Sequence, residues 1–370
     1  MRIAITAGSR GIANVVSITR TLADFVRECG GVPFIVPAMG SHGGATAEGQ
    51  LRLLAELGIT GDAIGCEIRS SMEVAAVGTV NGDDVCIDKL AAEADGVIVA
   101  GRVKPHTDFR GPYESGIMKM LVIGLGKQRG AEFCHNNGMA KMAETIPLLG
   151  RVILENVNIV GAVAIIENAY DETCQIHVLR PEDVARREPE LLRTAFSLMP
   201  RILFPECDLL IVDRIGKNFS GGGMDPNITG TFYDPSLSGG LKCKRVCVLD
   251  LSPESHGNFS GLGVCDATTR RVFEKIDADS TYTNALTCKV LADAKIPCVM
   301  DNDRECIQMC LKTLPGSNTA AMRVIRIPNS LHIEKIRLSE SYYNEAIAHP
   351  LIEVLENPAE MRFAATGDLR

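Results

Sequence analysis

Arg2-Ile3-Ala4-Ile5-Thr6-Ala7-Gly8-Ser9-Arg10-Gly11 opens the chain, and the fold reads outward from it. The first six residues make a short, mostly apolar strand, and Gly8-Ser9-Arg10-Gly11 ends it in a polar turn. Asn14 then stands where it can cap a helix whose apolar positions Val15, Ile18, Leu22, Phe25, Val26 and Cys29 recur every three or four residues. Gly30-Gly31 stops that helix, and Pro33-Phe34-Ile35-Val36 is the next strand. Strand, helix, strand in this order predicts a parallel sheet covered by helices. The rhythm continues with Thr46 capping a helix through Leu57, apolar strands over 96–100 and 160–166, and a polar helix over 181–198. A second set follows: strands over 208–213, 245–251 and 297–300, and helices over 268–276, 281–294 and 303–314. A strand near 322–327 and a helix near 341–355 close the chain.

The sequence therefore predicts two α/β domains with mostly parallel sheets and an active-site cleft between them. The 370 residues suit two domains at roughly 150 residues each. The first is expected over 1–204 and the second over 205–329, with the tail 330–370 open to completing the first. A hydrophobic share of 46% can fill both cores without staples. The net charge of −8 argues against nucleic acid or an anionic membrane as partner, since both demand clustered Lys and Arg. No apolar run is long enough to span a bilayer and no signal peptide opens the chain, so a cytoplasmic protein is expected. Thirteen cysteines, an odd number without paired spacing, read as free thiols of a reducing compartment. Cys243/Cys247 and Cys306/Cys310, each four apart, read as small buried hydrophobes.

Ligands of α/β sheets gather at loops following the carboxyl ends of strands. Three polar loops qualify: Gly8-Ser9-Arg10-Gly11, Met39-Gly40-Ser41-His42-Gly43-Gly44 and Lys104-Pro105-His106-Thr107-Asp108. Two of the seven histidines, His42 and His106, thus stand at equivalent strand ends. Lys119 lies in an apolar context, where lost solvation makes an amine a usable nucleophile. The run Gly124-Leu125-Gly126-Lys127-Gln128-Arg129-Gly130 offers Lys127 and Arg129 to a phosphate, although it lacks the ending of a Walker motif.

The order Gly-Ser-Arg-Gly-Ile, Gly-Ser-His-Gly-Gly, Lys-Pro-His, Ser-Gly-x-x-Lys, and a histidine sixteen residues after that lysine resembles the nickel-dependent lactate racemase family. More closely it resembles the shorter members that act on other 2-hydroxy acids. The resemblance covers the first 170 residues and continues more loosely through Gly216-Lys217-Asn218-Phe219-Ser220-Gly221 and Gly223-Met224-Asp225-Pro226-Asn227. It implies a nickel-pincer nucleotide, a pyridinium mononucleotide with two sulfur-bearing arms. Lys119 would carry it covalently, and His135 would be the nickel ligand. His42 and His106 would be the acid/base pair, and Arg10 would bind the substrate carboxylate. It further implies a 2-hydroxy acid as substrate and cofactor-making enzymes as partners.

The chemistry suits those residue types. The hydrogen on a carbinol carbon leaves more easily as hydride to a cofactor than as a proton. An imidazole with a pKa of about 6.5 can take and return the hydroxyl proton. The arginine fork fixes a carboxylate with two bonds.

The sequence departs from the lactate-acting members in the second domain, where Lys217 or Asn218 is expected to replace a glutamine and lysine. The loop before Lys119 carries Asp108, Arg110, Tyr113 and Glu114, which suit a larger hydroxylated acid such as an aldonate, or are simply a solvated surface. His177, His256, His332 and His349 are expected to be structural. Two other functions stay open: a zinc hydrolase built on His42, His106 and His135, and a non-catalytic binder of small acids.

Overall fold

The structure, a computed structural model, describes residues 1–136, 138–316 and 321–370. The chain divides into two compact units, Met1–Met199 and Pro200–Arg370. The division thus falls at Pro200 rather than after Phe204, whose buried side chain belongs to the second core. The tail also belongs to the second unit: Leu369 N–H donates to Asp303 at 2.9 Å and Asp368 pairs with Arg271 at 3.1 Å, so it does not complete the first.

The first unit is built from β1 (Arg2–Ala7), β2 (Val32–Pro37), β3 (Glu67–Ile68), β4 (Val74–Val80), β5 (Asp83–Asp88), β6 (Gly96–Arg102), β7 (Ile159–Glu167) and β8 (Thr173–Leu179). Among the described residues six of them form one sheet in the order β3-β2-β1-β6-β7-β8, parallel except for the antiparallel edge strand β8. The inner strands are apolar on both faces because helices cover both. One face packs Ile3, Ile5 and Ile35 against the helices Val15–Glu28 and Ala47–Glu56. The other packs Ala4, Val97, Val99 and Ala162 against Ile117, Leu121, Ile146 and Leu149.

β4 and β5 form a separate hairpin. Its Asn81-Gly82 turn has φ of 53° and 90°, both in the left-handed region that such a two-residue turn requires.

In the second unit, β9 (Glu206–Val212), β10 (Lys242–Val248), β11 (Ala267–Thr269), β12 (Cys298–Met300), β13 (Val324–Ile327) and β14 (Arg337–Leu338) make a sheet in the order β12-β11-β10-β9-β13-β14. It is parallel apart from β14. The final helix is shorter than its sequence pattern, Tyr343–Ala348, because His349-Pro350 ends it. Cys247, Cys306 and Cys310 are buried together in this core, with Cys243 half-buried. Among the described residues no helix is long and apolar enough to cross a membrane.

Candidate active site

The connections of the first sheet reverse direction between β1 and β6, the place where an open α/β sheet leaves a crevice beyond its carboxyl edge. The loops after β1, β2 and β6 converge there, and they carry Arg10, His42 and His106. Ser9 joins the first two, its Oγ lying 2.5 Å from His42 Nδ1. The His42 ring is exposed at this edge.

The third loop is pinched shut at its base. Lys104 N–H donates to the Ser115 carbonyl at 2.9 Å, and Ser115 N–H returns a bond to Lys104 at 3.1 Å. Inside it, the buried Glu114 carboxylate accepts the N–H of His106 at 2.6 Å and of Gly111 at 3.2 Å. Arg110 pairs with Glu114 at 3.5 Å and donates to the His106 carbonyl at 2.7 Å. The His106 ring packs on Phe109 with centroids 4.4 Å apart. Its Nδ1 accepts the Asp108 N–H at 3.1 Å, so the neutral ring carries its proton on Nε2. Burial first, then the charges of Lys119, His135, Arg110 and Arg10, drive His106 well below its usual 6.5.

Lys119 ends a first helical turn that begins at Ile117. Glu188, reaching over from the helix Pro181–Leu198, accepts the Met118 N–H at 2.9 Å and so satisfies a donor that a helix start leaves open. Gly116 is required beside it, because a Cβ there would lie 2.1 Å from Glu188 Oε1. Burial pushes the Glu188 carboxyl up to about 8, against the bonds from Met118 and Ile117. After Lys119 the helix widens: Leu125 N–H donates five residues back to Met120 at 2.8 Å, a π-type turn of the kind that marks functional sites. The Lys119 Nζ is 6.0 Å from the centre of the Phe109 ring. Burial lowers its pKa to about 8; Asp108, Cys134 and Glu114 oppose that shift while Arg10 adds to it.

His135 sits half-buried on the helix Lys127–Asn136, with its Nδ1 inside. Burial pushes the neighbouring Cys134 thiol up to about 12, leaving it inert. Asn137, within the same motif, lies outside the described residues. Arg10, His106, Lys119 and His135 therefore occupy one electrostatic neighbourhood, and His42 is tied to the loop of Arg10 through Ser9.

Residues 14–146 match the family model of the lactate racemase N-terminal domain. The fold is similar to that of the lactate racemase apoprotein from Thermoanaerobacterium thermosaccharolyticum, at 15% identity and a TM-score of 0.53, covering 89% of this chain and 85% of that one. The family likeness thus lies in residues 14–146, and the likeness over most of the chain is one of fold. A crystal structure of a Thermotoga maritima protein aligns with 67% of this chain and 66% of its own at 13% identity, with a TM-score of 0.48. No curated protein matches the chain.

Several residues expected at the site are held by partners within their own unit. Lys127, expected at a phosphate, is fully buried, its ammonium 2.9 Å from Asp88, 2.6 Å from the Pro37 carbonyl and 3.0 Å from Gln50 Oε1. A group so enclosed braces the interior and cannot reach a ligand. Arg129 is exposed and pairs with Asp84 of the hairpin at 3.0 Å.

Lys217 and Asn218 belong to the second unit and close their own loop. Lys217 Nζ donates to Gly221 at 2.7 Å and its N–H to Ser255 Oγ at 2.9 Å, while Asn218 Oδ1 accepts from Ser252 at 2.6 Å. Tyr113 donates to the Ala185 carbonyl at 2.6 Å, and Arg110 and Glu114 are spent on the His106 loop, so this is not a free polar surface. Among the described residues no three His, Cys, Asp or Glu side chains gather as a metal-binding set, His42, His106 and His135 included.

Ser9, Gln50 and Glu188 were not singled out by the sequence. Ser9 had a signal, its place beside Arg10. Gln50 and Glu188 act across long sequence separations and gave none.

Proposed function

We propose that the chain is a racemase or epimerase that inverts C2 of a 2-hydroxy acid, with His42 and His106 as proton carriers and Arg10 as carboxylate anchor. The observation that carries this reading is the shared electrostatic neighbourhood of Arg10, His106, Lys119 and His135 beside the Ser9–His42 pair.

The residues fit a nickel-pincer nucleotide. With a pKa of about 8, Lys119 is unprotonated in roughly a tenth of molecules at pH 7 and is competent to be acylated. His135 offers an imidazole suited to nickel, and the protonated Cys134 thiol does not compete for the metal. When bound, the group supplies an acceptor and donor for the C2 hydrogen as hydride.

The chain's own part is proton transfer and orientation. The fork of Arg10 holds the carboxylate by two charge-assisted bonds and fixes the pivot about which the planar keto acid turns. His42 takes or gives the hydroxyl proton on one side. His106 does so on the other at Nε2, in the tautomer whose proton sits on Nδ1 toward the Asp108 carboxylate 3.8 Å away, which requires the bond from the Asp108 N–H to be given up.

Because Arg110, Tyr113 and Glu114 are engaged within the protein, they give no argument for a polyhydroxylated acid. An aldonate becomes one candidate among 2-hydroxy acids. The test is a screen of paired stereoisomers, from lactate and malate to gluconate and mannonate, using protein produced with the cofactor-making enzymes. At least one pair should interconvert, and His42→Ala or His106→Ala should abolish it. Tight carboxylate binding with no interconversion of any pair would favour the non-catalytic binder.

A further inference from the structure

The glycine-flanked Lys127 finds its use in the interior. Lys127, Asp88 and Gln50 are each fully buried. The ammonium faces Gln50 Oε1 at 3.0 Å, which forces the other end of the amide toward the loop after β2. There Gln50 Nε2 donates to the carbonyls of Gly40 at 2.9 Å and of His42 at 3.3 Å. A reversed amide would set its N–H groups against the ammonium and its oxygen against two carbonyls, so only one orientation is satisfied. Lys127 holds a φ of +55° to deliver its side chain, a left-handed conformation that costs a non-glycine residue roughly 1–2 kcal/mol. Asp88 is anchored in turn, its Oδ1 accepting the Ala91 N–H at 3.0 Å.

His42 is thereby held at its backbone, while Ser9 holds its ring at Nδ1. The two histidines differ here. The Asp108 N–H can only donate, and it locks His106 in one tautomer. A serine hydroxyl donates or accepts, so the bond from Ser9 is kept in either His42 tautomer.

We propose that Gln50 and Ser9 are the positioning residues of His42: Gln50 fixes the backbone that carries the ring, Ser9 steadies the ring while leaving its tautomer free to change, and the buried Lys127–Asp88 pair serves to orient Gln50. This rests on the reading of His42 as a proton carrier given above.

The test is nitrogen-15 NMR of the histidine rings in the full chain, without cofactor. His106 should show a single Nε2–H form and His42 an average of two forms. Ser9→Ala should shift the His42 ring nitrogens toward free-imidazole values and leave His106 unmoved, and Ser9→Thr should restore the wild-type signals. Gln50→Leu should broaden the His42 signals and speed amide exchange over residues 40–46. Gln50→Glu, which keeps an acceptor for Lys127 but turns an oxygen toward the two carbonyls, should do the same. In cofactor-loaded protein, Ser9→Ala and Gln50→Leu should lower kcat by roughly 100-fold with KM little changed, as a small misplacement of a reacting group does.

Unchanged His42 signals in both Ser9→Ala and Gln50→Leu overturn the proposal. So does retained kcat in both variants while wild type turns over, an outcome that leaves the racemase reading standing. Signals that move as described in a chain whose loaded wild type inverts no acid uphold the positioning and remove the racemase reading instead.

Discussion

His106 and Lys119 meet at one aromatic ring, the imidazole 4.4 Å from the Phe109 centroid and the Lys119 ammonium 6.0 Å from it. The amine that would tether a cofactor is thus also a charge acting on the imidazole that would move a proton.

Removing that charge should return His106 toward its ordinary range. After burial, Lys119 is the largest cause of the low His106 value, so Lys119→Met is expected to raise the His106 pKa. Acylation of Lys119 should act in the same direction, since an amide carries no charge. An NMR pH titration of the His106 ring in wild type and variant checks this, and an unmoved or lowered midpoint contradicts it.

Lys119 itself should behave as an activated amine. Its pKa of about 8 predicts that labelling with a limiting amine reagent rises with a midpoint near pH 8, whereas an ordinary lysine titrates at about 10.4. Peptide mapping across a pH series reads both in one sample. A Lys119 midpoint in the ordinary range would remove the argument for its reactivity.

The first sheet was legible because its strands are apolar on both faces and its turns are polar, which leaves little choice about β1, β2, β6 or β7. Thr46 caps its helix as its position suggests, accepting the Gly49 N–H at 3.0 Å. Asn14 does not, although it immediately precedes a helix: it adopts a φ of 60° and its side chain donates to Thr173 at 3.2 Å, a partner far away in sequence. The β4–β5 hairpin carried a plain Asn81-Gly82 signal that the weakly apolar flanking strands obscured. The helix Lys127–Asn136 was hidden by its polar composition, so Lys127 read as a phosphate ligand. Nothing local could reveal that its partners are Pro37, Gln50 and Asp88. Local pattern exposes groups at strand ends, while the residues that hold them in place depend on tertiary contacts.

Glu188 makes stability depend on pH. Its folded value of about 8 lies above the roughly 4.3 of an unfolded glutamate, so the folded state keeps a proton that the unfolded state has lost. Its stabilising contribution is full below about pH 4 and falls as pH rises toward about 8, at a slope of at most about 1.4 kcal/mol per pH unit. In urea unfolding at a series of pH values, Glu188→Gln should lack this decline. Equal slopes in wild type and variant would contradict it.

Lys127→Met should destabilise the first unit by about 3–5 kcal/mol, because Asp88 is left charged and buried without its partner. Adding Asp88→Asn should recover part of that loss. Denaturant midpoints measure both, and a surface-like cost below about 1 kcal/mol would mean that Lys127 is not the internal brace described.

Under the proposed function, Lys119 and His135 would hold a nickel-bearing nucleotide beside two proton-carrying histidines. Intact mass spectrometry and metal analysis of the chain, produced together with the cofactor-making enzymes, test it most directly. An added mass that maps to Lys119, with stoichiometric nickel, is expected. The nickel should be lost in His135→Ala, and both nickel and adduct in Lys119→Ala. An unmodified, nickel-free chain recovered from cells in which a lactate racemase is loaded would contradict it.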